Sequence, residues 1–267
     1  MASIKSIAFL DLDGTFWQWG NVPESAGRAV VRAQQNGHVV MCNTGRAYSE
    51  VDGLEPYGLN GGCFAAGADV RVDGMQLVDE RMDERTSRRV VELFCKWGLN
   101  FSLEGRHRTF AHFDDEEAFW KKADERDSSL RDFFDKQGRV EDMDPGDYAQ
   151  VYKYCVFDAT LSQEQQAELP EGLVFTDFVF AGEITKGHIN KATAMETVRS
   201  HMQRKTGEPW RTISFGDSGN DIPMLRAADV GVCMGNGNQN AKDAADYITS
   251  AIDDDGLLRA FEHLGLV

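Results

Sequence analysis

At 267 residues the chain is long enough for one large domain or for two unequal ones. A net charge of −16 argues against nucleic acid and against an anionic membrane as partners, because both bind through basic patches. With 42% hydrophobic residues and only six prolines the chain reads as folded throughout, and no apolar run reaches the roughly 18 residues of a membrane span.

The N-terminal Met1-Ala2-Ser3-Ile4-Lys5 has no apolar h-region and no cleavage site, so no signal peptide is expected and the protein is placed in the cytoplasm. Ile7 to Leu10 is a continuously apolar run, as expected for a parallel strand covered on both faces. Pro23 opens a helix that ends at Gly37, and residues 38–42 form a second strand, with a helix expected after Gly45. Residues 83–97 carry Val90, Leu93, Phe94 and Trp97 on one helical face. Period-two alternation follows at 101–103, 109–113, 151–157 and 174–180, the mark of antiparallel strands with one wet face. Helix–strand alternation then resumes: a helix over 187–205, a strand at 212–215, a helix through Pro223, strands at 230–233 and 247–249, and a last helix through Leu258 and Phe261. The fold class is α/β, a doubly wound and mostly parallel sheet. Its two parts, 1–82 and 184–267, flank an α+β insertion at 83–183. The five cysteines (Cys42, Cys63, Cys95, Cys155 and Cys233) are widely spaced and form no C-x-x-C pair, the pattern of small buried hydrophobes in a reducing compartment.

Four polar clusters fall at strand ends or at the helix starts that face them. Asp11-Leu12-Asp13-Gly14-Thr15 follows the first strand directly. Two carboxylates beside an apolar core cost free energy unless something pairs with them, and a hard cation such as Mg²⁺ is the natural partner. An Asp-Gly turn is the plainer reading of these residues taken alone. Asn43-Thr44-Gly45-Arg46 offers a hydroxyl and backbone N–H groups at an expected helix start, either an anion cradle or an ordinary N-cap. Thr185-Lys186-Gly187 puts a lysine where a helix is expected to begin. A cation opposes the helix dipole there, which speaks for a role in binding an anion, although a solvated surface charge is the commoner reading of a lysine taken alone. Gly216-Asp217-Ser218-Gly219-Asn220-Asp221 ends another β-rich run, and is either a second source of cation ligands or a polar turn.

Taken in order, Asp-x-Asp, Thr, Lys and Gly-Asp-x-x-x-Asp resemble the haloacid dehalogenase superfamily of phosphatases, in particular its Cof-type subfamily with a large α+β cap (type IIB). Met234-Gly235-Asn236 and Ala245-Asp246-Tyr247-Ile248-Thr249 with Asp255-Gly256 extend the resemblance to the C-terminus. It implies a Rossmann-like catalytic core at 1–82 and 184–267 and a cap at 83–183 that excludes solvent and recognises the leaving group. It implies hydrolysis of small phosphate monoesters, with sugar phosphates foremost, through an aspartyl-phosphate on Asp11, with Asp13 as general acid and base. Mg²⁺ is then held by Asp11, by the backbone carbonyl of Asp13 and by Asp217. Thr44 and Lys186 grip the phosphoryl oxygens, helped by the Leu12 and Gly45 amides and by Asn220. Asp221 and Arg46 stand behind these groups, Asp221 orienting a metal-bound water. The alternatives are a phosphotransferase or phosphomutase using the same intermediate, or a non-catalytic phosphate-binding module. A small-molecule phosphate ester is the expected partner, and a monomer the expected state.

Two departures from the family pattern stand out. Ala66-Gly67-Ala68 occupies a place where the family commonly has Asn-Gly-Ala, and Phe16-Trp17-Gln18-Trp19 is unusually aromatic. The aromatics are read as packing at the cap interface, or alternatively as a stacking wall for a ring substrate. Other hydrolase motifs fail on spacing: Arg46 lies four residues after Cys42 rather than six, and Gly216-Asp217-Ser218-Gly219 is one residue short of G-x-S-x-G.

Overall fold

The computed structural model describes residues 5–18, 20–126, 130–178 and 181–267. Residues 1–4, on which the reading of the N-terminus rests, lie outside them, as do Trp19 of the aromatic run and the last two residues of the expected 174–180 strand. In chain order the elements begin β1 (Ser6–Leu10), α1 (Glu24–Gln35), β2 (Val39–Asn43), β3 (Gly61–Phe64), β4 (Asp69–Val72) and β5 (Met75–Asp79). Next come α2 (Glu84–Lys96), β6 (Asn100–Gly105), β7 (Thr109–His112), α3 (Glu116–Arg126), α4 (Leu130–Phe134), β8 (Gly138–Arg139), β9 (Val151–Phe157), α5 (Gln163–Glu168), β10 (Leu173–Asp177) and β11 (Ala181–Lys186). The last are α6 (Lys191–Thr206), β12 (Arg211–Gly216), α7 (Ile222–Ala227), β13 (Val230–Cys233), α8 (Gln239–Ala244), β14 (Tyr247–Ile248) and α9 (Gly256–His263).

The chain divides into two compact units, the first comprising residues 1–46, 51–79 and 189–267 and the second 47–50 and 80–188. In the first unit eight strands run in the order β14-β13-β12-β1-β2-β3-β4-β5. From β14 to β3 all pairs are parallel, and β3, β4 and β5 form an antiparallel meander at one edge. The apolar runs of β1 and β2 are explained by burial on both faces. Ala8, Leu10, Val40 and Cys42 pack under α1 and α9, with Val30, Leu257 and Phe261. Ile7, Phe9, Val39 and Met41 face the opposite way, onto Met195, Val198 and Met202 of α6.

The second unit is a six-stranded sheet in the order β10-β11-β9-β6-β7-β8, antiparallel except for the short β7–β8 pair. One face of it, with Phe101, Leu103, Tyr154, Val156 and Ile184, closes a core with Val90, Leu93 and Phe94 of α2. Asp83 caps that helix, its Oδ1 accepting from the Thr86 N–H at 2.8 Å.

Two expected helices differ. After Gly45 there is no α-helix, only single 3₁₀ turns at Tyr48–Glu50 and Glu55–Tyr57. Gly53 and Gly58 adopt positive φ, +78° and +56°, and a left-handed residue ends a right-handed helix. The helix expected over 187–205 starts later, at Lys191, because β11 continues through Lys186 as the partner of Leu173 on β10.

Candidate active site

β1, β2 and β12 lie side by side with β1 in the middle, so their C-terminal ends bring three loops together in the first unit. This is where open α/β sheets place their ligands. The ladder extends one step past β1, where the Asp11 N–H donates to the Phe215 carbonyl at 2.9 Å, and this fixes the Asp11 backbone beside β12. Beyond Asp11 the chain turns tightly around the Leu12 carbonyl, which accepts from the N–H groups of Thr15, Phe16 and Trp17. Gly14 has φ +81°, and a Cβ there would come within 2.6 Å of Asp217 Oδ2, so glycine alone fits between the two acidic loops. Phe16 and Trp17 are buried in the core beside Ala8 and Leu10.

Lys191 is the residue that organises the carboxylates. Its Nζ donates to Asp11 Oδ1 and to Asp221 Oδ1, each at 2.6 Å, and the side chain is buried. It stands first in α6, whose N-cap Asn190 accepts from the N–H groups of Ala192 and Thr193, while Asn43 Nδ2 holds the Lys191 carbonyl at 2.9 Å. Asp221 is saturated: its Oδ2 accepts from the N–H groups of Asp217 and Ser218, both at 2.9 Å. It therefore shapes the Asp217 loop and anchors the lysine. Asp217 itself is lightly used, with the Thr15 hydroxyl 3.5 Å from its Oδ1. A ligand oxygen from each of Asp11, Asp217 and Asp221 fits within 4.8 Å of the others.

Three carboxylates around one ammonium leave negative charge uncompensated, and the acidities record it. Burial first, then Asp221 and Asp217, push Asp11 well above the usual carboxylate range against the pull of Lys191. Burial and Asp221 raise Asp217 to about 7. Burial works against the charge on Lys191, but Asp11 and Asp221 outweigh it and raise its pKa. A hard divalent cation would relieve this excess, and an all-oxygen donor set suits it.

Asp13 points to a different set of partners. Arg46 grips it with a fork, Nε to Oδ2 at 2.6 Å and Nη2 to Oδ1 at 2.8 Å, and the Trp17 indole N–H donates to Oδ1 at 3.0 Å. The Arg46 guanidinium also lies 5.6 Å from the Trp17 ring centroid. Thr44 is buried, and its Oγ1 accepts from the Arg46 N–H at 3.1 Å, a bond that shapes the loop holding Gly45. The Ala65-Ala66-Gly67 turn braces that loop from below. Ala65 N–H donates to the Arg46 carbonyl at 2.7 Å and Ala66 N–H to the Thr44 carbonyl at 3.0 Å. The Asn220 side chain accepts from the Ser218 hydroxyl at 2.8 Å.

Asp11, Asp217 and Asp221 thus come together, and Asp13 with Arg46 stands at the same loop. Lys186 does not join them. It ends β11 in the second unit and pairs there with Glu80 at 2.7 Å, and Lys191 supplies the buried ammonium instead. The Asn190…Thr193 capping box just ahead of the apolar face of α6 was the available signal for the true helix start. Asn236 and Trp17 also belong to the site's framework: Asn236 Nδ2 donates to the Gly14 carbonyl at 2.8 Å. No helix among the described residues is long and apolar enough to cross a membrane.

The same architecture occurs in BT1666 of Bacteroides thetaiotaomicron, a haloalkanoate-superfamily phosphatase, with a TM-score of 0.81 at 22% identity over 99% of this chain and 96% of that one. The subclass IIB sugar phosphatase BT4131 superposes with a TM-score of 0.79 at 23% identity over 98% and 100%. YkrA of Bacillus subtilis strain 168, named as a phosphatase, is 24% identical over 98% of this chain and 99% of its own length. A family of haloacid dehalogenase-like hydrolases matches residues 8–261. On that match, which spans nearly the whole chain, the protein belongs to the haloacid dehalogenase-like hydrolases, and its fold is that of their Cof-type, IIB members.

Proposed function

We propose that this hydrolase is a Mg²⁺-dependent phosphatase of small phosphate monoesters, sugar phosphates foremost, that works through an aspartyl-phosphate on Asp11. The observation that carries the reading is the buried Lys191 ammonium shared by Asp11 and Asp221, with Asp217 on the neighbouring strand end. An Asp11 oxygen attacks phosphorus and the bond to the ester oxygen breaks. The departing alkoxide takes a proton from Asp13, and Asp13 then removes one from the water that frees phosphate and regenerates Asp11. Arg46 and the Trp17 indole hold Asp13 oriented through three hydrogen bonds, two to Oδ1 and one to Oδ2, which leaves Oδ2 a lone pair for the proton.

Lys191 sits where it can neutralise the attacking carboxylate and the phosphoryl oxygens together, a role first expected of Lys186. The Thr44 hydroxyl and the amides of Leu12 and Gly45 are suited to the remaining phosphoryl oxygens, and Asn220 to a further hydrogen bond. Asp11, the Asp13 carbonyl and Asp217 would hold the Mg²⁺, which supplies charge neutralisation as the phosphoryl group transfers, and Asp221 fixes the Asp217 loop behind them. The second unit is read as the cap, which limits water and meets the leaving alcohol.

The test is release of inorganic phosphate from p-nitrophenyl phosphate with Mg²⁺ and no added acceptor alcohol, with trapping of the acid-stable intermediate. Asp11→Asn is expected to abolish both. Asp13→Asn is expected to slow turnover by about 10²–10⁴-fold with Mg²⁺ binding largely kept. Unchanged turnover in Asp11→Asn would refute the nucleophile, and phosphate appearing only when a second alcohol is supplied would point to a phosphotransferase.

A further inference from the structure

Asn43 ends β2 with its side chain fully buried, and the pattern of that strand does not call for an amide there. Val39 and Met41, on the same face of the strand, pack on α6, so an apolar side chain would continue the series. Asn43 Nδ2 instead donates to the Lys191 carbonyl at 2.9 Å and faces Met224 Sδ, a weak acceptor, at 3.5 Å. Its Oδ1 is buried and accepts no hydrogen bond from the described residues. Turning the amide over would set that oxygen against the Lys191 carbonyl, so its orientation is fixed.

The bond is not a cap. In an α-helix the first residue's carbonyl is already taken by the N–H four positions on, and Asn190 caps the first N–H groups of α6. An amide that leaves a buried acceptor unmet costs free energy that an apolar side chain would not, so its reason lies in placement. What it places is the first turn of α6. Gly67 meets the same turn so closely that a Cβ there would stand 2.8 Å from the Asn190 carbonyl oxygen and 2.9 Å from the Ala194 Cβ. That packing sets how near α6 comes to the strand ends, and the directional Asn43 bond sets its rotation and slide. Along the backbone Asn43 leads straight into Thr44, whose N–H donates to the Cys63 carbonyl at 2.9 Å. Through its side chain it holds the backbone of Lys191, whose Nζ reaches Asp11 and Asp221. All of these residues lie in the first unit.

We propose that Asn43 is a positioning residue for phosphoryl transfer: by tying the Lys191 carbonyl to the end of β2 it fixes the spacing between the Lys191 ammonium and the Thr44 hydroxyl, so that both meet one phosphoryl group. The inference rests on the phosphatase reading and adds to it a residue that touches no reacting atom. It is tested with p-nitrophenyl phosphate and Mg²⁺ as the assay and with orthovanadate, a mimic of the transferring phosphoryl group, as the probe. Asn43→Leu keeps the size and removes the amide, so it should fold with a Tm at or above that of the wild type and keep its Mg²⁺ affinity. Its kcat/KM should fall by at least about tenfold, mostly in kcat, and its vanadate affinity by a similar factor. In a Thr44→Val background, where the hydroxyl is already gone, adding Asn43→Leu should cost less than about threefold, because both changes act on one grip. A loss that multiplies in full in the double variant would mark a general structural role and overturn the proposal. So would kcat/KM and vanadate affinity within about twofold of the wild type in folded Asn43→Leu. Asn43→Ala, which also removes the amide, takes its place where the leucine variant does not fold, and failure of both to fold would assign the amide to stability and overturn the proposal as well. Each of these outcomes leaves the phosphatase reading intact. No phosphate release from p-nitrophenyl phosphate by the wild type would overturn both.

Discussion

At the scale of the residue, two lysines five positions apart carry opposite consequences. Lys191 is buried between Asp11 and Asp221, so removing its ammonium leaves two buried carboxylates without a cation. Lys191→Met is expected to destabilise the fold by about 3–5 kcal/mol, read from urea unfolding, and to cost at least about 100-fold in phosphate release. Lys186 is partly exposed and paired with Glu80. That pair is worth about 0–1 kcal/mol, so Lys186→Met should change unfolding little and keep turnover near wild type. The opposite ranking of the two variants would return the phosphate-binding role to Lys186. Asp11, Asp13 and Asp217 were legible without coordinates because each follows an apolar run within a few residues, where local pattern is strongest. The grip of Arg46 and Trp17 on Asp13 was not, since it depends on where the loop after β2 lands.

At the scale of the element, local pattern succeeded where burial is two-sided and failed where a partner decides. β1, β2, β12 and β13 are short apolar runs because helices cover both faces of their sheet, and such runs show directly in the sequence. The reach of β11 through Lys186 is set by pairing with β10, thirteen residues away in register, which no local window contains. The turn after β3 is a third kind of case. Ala65 and Ala66 sit at φ +48° and +57°, where an L-residue with a Cβ is strained by about 1–2 kcal/mol and where the family's usual asparagine is better tolerated. The strain persists because both N–H groups are spent on the carbonyls of Thr44 and Arg46. Ala66→Gly keeps those bonds and relieves the backbone, so it should raise unfolding free energy by about 0.5–1 kcal/mol. A loss of stability there would mean that the buried methyl group matters more than the dihedral.

At the scale of the whole molecule, each of the two units carries its own acid cluster, and both clusters act on stability in the same direction. Asp217 is raised to about 7, by burial and then by Asp221, and Glu104 to about 8, by burial and then by Glu50. A carboxyl with a raised folded pKa binds its proton more tightly folded than unfolded. Its contribution is complete below the unfolded pKa, near 4, and is lost as pH rises through the folded value. Without metal, stability should therefore fall from about pH 4 to pH 8, and the net charge of −16 adds to the fall through self-repulsion. Mg²⁺ acts on the first cluster alone and needs Asp11 and Asp217 ionised, so it must displace protons below about pH 7, and its apparent Kd should weaken by at least about tenfold per pH unit there. The difference in Tm with and without Mg²⁺ cancels the Glu104 contribution and isolates that of the Asp11–Asp217 pair. At a hundredfold excess over Kd the gain is about 2.7 kcal/mol, on the order of 5–10 °C. That difference should be largest at the alkaline end and should shrink steadily as pH falls below 7. Glu104→Gln should flatten the metal-free curve between about pH 5 and 8 and leave the Mg²⁺ difference unmoved. A Mg²⁺ difference that is flat from pH 5 to 8, or one that is abolished by Glu104→Gln, would mean that the cation is not held by Asp217.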